Sequence, residues 1–199
     1  MELHDLLSDG YGRILELLEH VLSGLSQDDL NWQPQDDCNS IGWLAWHLTR
    51  QEDAQIASLI GEPQLWISNK WYDKFNRPAE PENIGFGNTP EQVSAFISPD
   101  IKTLLDYQRA VLERSKQYFL TLSKTDLDRE LDEPMFEPPP TVGVRLISIM
   151  NDAIVHAGQA AYIRGLRKGR GMAEILNDQA ITQVTQGPRH RGNKHTIYL

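Results

Sequence analysis

The chain has 199 residues, 40% of them hydrophobic and 24% charged, with a formal net charge of -9. That length suits one domain with a full core, and the acidity argues against a nucleic-acid binder, which needs a basic stripe. A single cysteine, Cys38, excludes an internal disulfide and any cysteine-rich zinc site.

The N-terminus lacks the basic start and apolar run of a signal peptide. No run approaches the roughly 18 apolar residues of a membrane span. A cytoplasmic protein with neither nucleic-acid nor membrane partners is the expectation.

Residues 2–25 carry leucines, isoleucine and valine three or four apart from Leu3 to Leu25, an amphipathic helix with a weak point at Asp9-Gly10-Tyr11-Gly12. His4 and His20 read as solvated helix residues. Ser26 to Asn39, with Pro34 and paired aspartates, reads as a connector. Ser40 suits the N-cap of a second helix running to Ile60, where Gly61-Glu62-Pro63 ends it. Its inward stripe is Ile41, Leu44, Leu48, Ile56 and Leu59, with His47 beside Leu44 and Leu48.

Residues 62–88 show no clear period but hold Trp66, Trp71, Tyr72, Phe75 and Phe86, which either wall a pocket or cover the bundle end. Thr89-Pro90-Glu91-Gln92 is a helix start with a capping box. The pattern continues to about Leu122, interrupted at Pro99, which either kinks it or sets residues 90–98 apart. It buries Val93, Phe96, Ile97 and Leu104, among others, and its acids Asp100, Asp106 and Glu113 show no ligand pattern.

Ser123 to Pro140 is a proline-rich loop, and Thr141 to Lys168 is the last long helix. The basic end of that helix, with Arg164, Arg167 and Lys168, suits the negative pole of its dipole. Met172 to Gln186 suits a short further helix before a basic tail. The expectation is an all-α, up-down four-helix bundle with long crossover loops over residues 1–170. Residues 171–199 add a short helix and tail packed on it or trailing it.

Asp152 and His156 lie four apart on the last helix, so both side chains share one face. They sit on or beside the stripe of Leu146, Ile149, Ala153, Ala157, Ala160 and Ile163. A buried carboxylate needs a partner or a cation. With His47 from another helix they form a donor set that suits zinc, nickel or iron, with one position open. The competing reading is a hydrogen-bonded core pair with no metal.

Two stretches carry a resemblance. Leu25-Ser-x-x-x-Leu30-x-Trp32-x-Pro34, followed by Ser40-Ile-Gly-Trp43-Leu-x-Trp46-His47-Leu48 with Glu52, resembles the DinB-like superfamily of metal-dependent proteins. Asp152-x-x-x-His156-Ala-Gly-Gln159-x-x-x-x-Arg164 resembles the closing motif of that superfamily. The resemblance spans roughly residues 2–168.

It implies a four-helix bundle, a homodimer, and a divalent metal held by three side chains. One branch contains mycothiol-dependent maleylpyruvate isomerase and related thiol transferases, with His, Glu and His as ligands. These positions match His47, Asp152 and His156, so the resemblance implies a low-molecular-weight thiol and a small-molecule substrate. Asp152 is one methylene shorter than the Glu of that branch. Ala160 excludes the register in which other members pair two histidines on the last helix. Non-catalytic metal binding and a purely structural bundle are the alternatives.

Overall fold

A computed structural model describes residues 1–169. Its long helices are α1 (Leu3–Leu22), α3 (Ile41–Ile60), α7 (Ile101–Thr121) and α8 (Val142–Lys168). Between them lie four shorter helices: α2 (Gln27–Asn31), α4 (Leu65–Ser68), α5 (Trp71–Lys74) and α6 (Pro90–Ser94). A 3-10 turn at Thr125–Asp128 and one isolated bridge, Glu130 to Thr141, complete the described residues, which contain no strand. No helix among them is long and apolar enough to cross a membrane. The expected helix over Met172–Gln186 and the tail lie outside the described residues.

The long helices form an all-α four-helix bundle in which α3 and α7 are parallel neighbours. Thr49 meets Gln108 and Glu52 meets Ser115, so residue numbers rise together along this pair. The α3–α8 pair is antiparallel, with Gln55 against Arg145 and His47 against His156. Parallel neighbours need a return crossover, which residues 61–100 supply.

Local chemistry sets the helix ends. Ser40, Asp100 and Thr141 each accept a first-turn amide, from Trp43, Thr103 and Val144. Gly61 and Gly169 close α3 and α8 in the left-handed conformation. Gly10 does not loosen α1. A Cβ there would meet Met150 Sδ at 2.7 Å, so the glycine lets α1 approach α8. Tyr11 beside it is buried and donates to the Leu146 carbonyl at 2.7 Å.

The structure corrects some expectations and decides or sharpens others. The connector after α1 contains α2, closed by a capping box between Ser26 and Asp29. The pattern after Thr89 divides at Pro99 into α6 and α7, which leaves Ile97 67% exposed instead of buried. Trp66, Trp71 and Phe75 of the aperiodic stretch pack into the core around Tyr107 and cover the bundle end, while Phe86 stays in solvent. The basic end of α8 has specific partners: Arg167 and Lys168 pair with Asp29, and Arg164 donates to the carbonyls of Val21 and Ser23.

The helix α3 is surrounded, and its polar residues Thr49, Arg50, Glu52 and Asp53 are all buried. Glu52 lies within 2.6 Å of Ser115 Oγ and accepts from Gln108 Nε2 at 2.9 Å. Burial pushes its carboxyl up to about 7. The neutral acid fits this setting, because its proton can go to Ser115 Oγ while Ser115 donates to the Val111 carbonyl at 3.0 Å.

The folded chain therefore holds a proton that the unfolded chain releases. This contribution to stability is full below pH 4.5 and is lost as pH rises to about 7. Glu52→Gln mimics the neutral acid and should remove that dependence. Urea unfolding at pH 4.5 and pH 8 should show wild type losing roughly 2–3 kcal/mol more than the variant. Equal losses would mean that Glu52 is already ionised at the lower pH.

Candidate metal centre

α3 and α8 bring His47, Asp152 and His156 together, with one donor atom from each lying within 4.8 Å of the others. His47 is buried at 4% exposure, whereas Asp152 and His156 are half-buried. The cluster thus has one closed side, on α3, and one side reaching solvent along α8. Trp43, one turn before His47, stacks on its ring at 4.7 Å, and the His156 ring meets it edge-on at 4.8 Å.

The ring nitrogens are sorted by their partners. His47 Nδ1 donates to the Ile84 carbonyl at 2.5 Å; a carbonyl only accepts, so the proton sits on Nδ1 and Nε2 keeps its lone pair. His156 Nδ1 faces Gln159 Oε1 at 2.8 Å, and with the amide in this orientation Nδ1 is the donor. His156 Nε2 then lies 3.4 Å from Asp152 Oδ1. Holding the outer nitrogen of each imidazole by an acceptor is the usual means of presenting the inner one to a cation.

Burial pushes His47 below the ordinary histidine range, which favours the neutral ligand form. The neighbouring Asp152 carboxylate raises His156. Asp152 Oδ2 is buried and has no hydrogen-bond partner among the described residues. An anionic oxygen left this way is costly unless a cation completes it. Together these donors fit a divalent ion of the zinc type.

Ile84 and Gly85, which seat His47, carry no signal in the sequence. Gly85 has φ 93°, and a Cβ on it would meet His47 Nδ1 at 2.7 Å, so only glycine lets this loop press its backbone on the ring. Gln159 belongs to the α8 motif, but its bond to His156 emerges only in three dimensions. Asp106 pairs with Lys102 and Arg109, Asp100 caps α7, and Glu113 accepts from Gln117; the cluster takes none of these three acids.

The DinB superfamily profile matches residues 11–160. The fold is also similar to the crystal structure of a conserved protein from Enterococcus faecalis. The two are 32% identical with a TM-score of 0.78, over 85% of this chain and 99% of that one. No curated protein matches. The matched stretch includes α3 and its His47 motif together with the Asp152–His156 turn of α8, and the chain belongs to the DinB superfamily.

Proposed function

We propose that His47, Asp152 and His156 hold one divalent metal ion, zinc foremost with nickel or iron also suited, and that the protein is an enzyme using it with a low-molecular-weight thiol. The observation that carries this reading is the approach of three donor atoms within 4.8 Å beside the unpartnered carboxylate oxygen of Asp152. When bound, such a cation lowers the pKa of a thiol placed in the open fourth position, so that a thiolate is available to an electrophilic substrate at neutral pH.

The residues of the chain do the holding. Ile84 and Gln159 keep both Nδ1 protons outward, Asp152 supplies the negative charge, and Trp43 shields one face of His47 from water. Cys38 is not in the triad, so no nucleophile from the chain is needed. The choice of a thiol follows the resemblance to the thiol-transferase branch.

A second reading has its own support: the 3.4 Å contact between His156 and Asp152 is also what a metal-free ion pair in a non-catalytic bundle would show. Elemental analysis of the full chain made without a histidine tag separates the two, and about one divalent ion per chain is expected. A panel of thiols and electrophiles should then give turnover that chelation abolishes and Cys38→Ala preserves. Metal-free protein would establish the bundle reading, and turnover that ignores the thiol would point to hydrolysis.

A further inference from the structure

A cleft of about 510 Å³ adjoins the metal centre, and Asp152 belongs to its wall. Its floor comes from two antiparallel helices at a four-residue repeat. α3 supplies Gln51 and Gln55, one and two turns beyond His47, and α8 supplies Ser148 one turn before Asp152. The roof is apolar, formed by Phe136, Pro138 and Pro140 of the loop before α8, with Val144 at the edge. Phe136 and Val144 are 50% and 54% exposed, an apolar surface that a ligand in the cleft would cover.

The amides of the floor have a defined direction. Arg145 can only donate, and its Nη1 lies 2.8 Å from Gln55 Oε1, so the Gln55 amide nitrogen faces the other way. That nitrogen donates to Gln51 Oε1 at 2.9 Å. The Gln51 amide nitrogen is then the end of the chain and has no partner among the described residues. It is a spare donor about 6 Å along α3 from His47.

Charge narrows the occupant. Arg145 is the cation lining the cleft, and Glu133 neutralises it. The other charged lining residue is Asp152, and the chain as a whole carries -9. In the metal-free chain, a carboxylate or phosphate finds no uncommitted positive charge among these lining residues.

We propose that this cleft is the substrate site, and that it takes a small neutral molecule with an apolar body and a carbonyl oxygen that accepts from Gln51. Its role as a substrate site rests on the metal reading above; the binding itself does not require the metal. A neutral carbonyl compound is also an electrophile of the kind that a thiolate attacks.

The test uses acetophenone as probe, with benzoate and ethylbenzene as size-matched comparators, followed by amide NMR shifts of the full chain with and without zinc. Acetophenone should bind, with shifts concentrated in residues 136–152 and around Gln51. Benzoate should bind the metal-free chain at least about tenfold more weakly. Val144→Trp should fill the cleft and reduce acetophenone binding at least about tenfold while metal content stays unchanged. Gln51→Leu should weaken acetophenone roughly fivefold, the loss of one hydrogen bond, and leave ethylbenzene unaffected.

The proposal fails if acetophenone does not bind, if its shifts lie elsewhere, if benzoate binds the metal-free chain equally well, or if either variant leaves acetophenone binding unchanged. Metal present without ketone binding overturns the cleft alone. Ketone binding to a chain that takes no metal overturns the metal reading and leaves the binding site standing.

Discussion

His47→Ala is expected to lose divalent metal almost completely, with affinity falling by more than about 100-fold, because the imidazole on the α3 side has no substitute donor among the described residues. His156→Ala should behave likewise, while Cys38→Ala should keep its metal. Dialysis against a defined zinc buffer followed by elemental analysis provides the measurement. Metal content unchanged in both histidine variants would remove these residues from the centre.

The same ligands set the pH dependence. Asp152 raises His156 and burial lowers His47, so His156 takes up a proton first as pH falls. Protons then compete with the ion, so occupancy should be full in mildly alkaline solution and decline as pH drops through about 6. The metal-free His156–Asp152 pair has the opposite sign. Its contribution to stability is full below pH 6.5 and is lost as pH rises through the folded value of His156. A pH series with and without zinc therefore distinguishes a metal centre from an ion pair.

The largest stability effect should come from Asp53, away from the centre. Its carboxylate accepts from the amides of Leu65 and Trp66 at 2.9 and 2.8 Å and from Tyr107 at 2.7 Å, and it faces Arg50 at 3.6 Å. Asp53→Ala would leave the buried Arg50 guanidinium without its anion and α4 without acceptors for its first amides. A loss of about 3–5 kcal/mol is expected, as for other buried pairs with one partner removed. That corresponds to a fall of roughly 10 °C in melting temperature. Tyr107→Phe removes the bond to Asp53 and the longer one from Arg50 at 3.4 Å, and should cost only about 1–2 kcal/mol. A loss below 1 kcal/mol in Asp53→Ala would mean that the network contributes nothing net.

Asp53 also shows where reading the sequence stops. Apolar periodicity describes the stripe of a helix that faces one neighbour. α3 is enclosed by α7, α8 and the aromatic loop, and its polar residues are satisfied by Gln108, Ser115 and Tyr107, far away in the chain. Trp66 and Trp71 sit on one-turn helices that core packing holds in place, and so short an element carries no period.

What the sequence determined by itself is the chemistry decided within a few residues. It set the caps Ser40 and Thr141, the glycine stops Gly61 and Gly169, the one-turn spacing of Asp152 and His156, and the motifs that carry the resemblance. The tertiary structure alone decided that His47 meets that pair and that the Ile84 carbonyl assigns its proton. It also decided that a cleft lies beside Asp152. Capping and helical spacing act through neighbouring backbone groups, whereas the direction of a lone pair or a spare amide depends on atoms that only the packing of distant helices brings together.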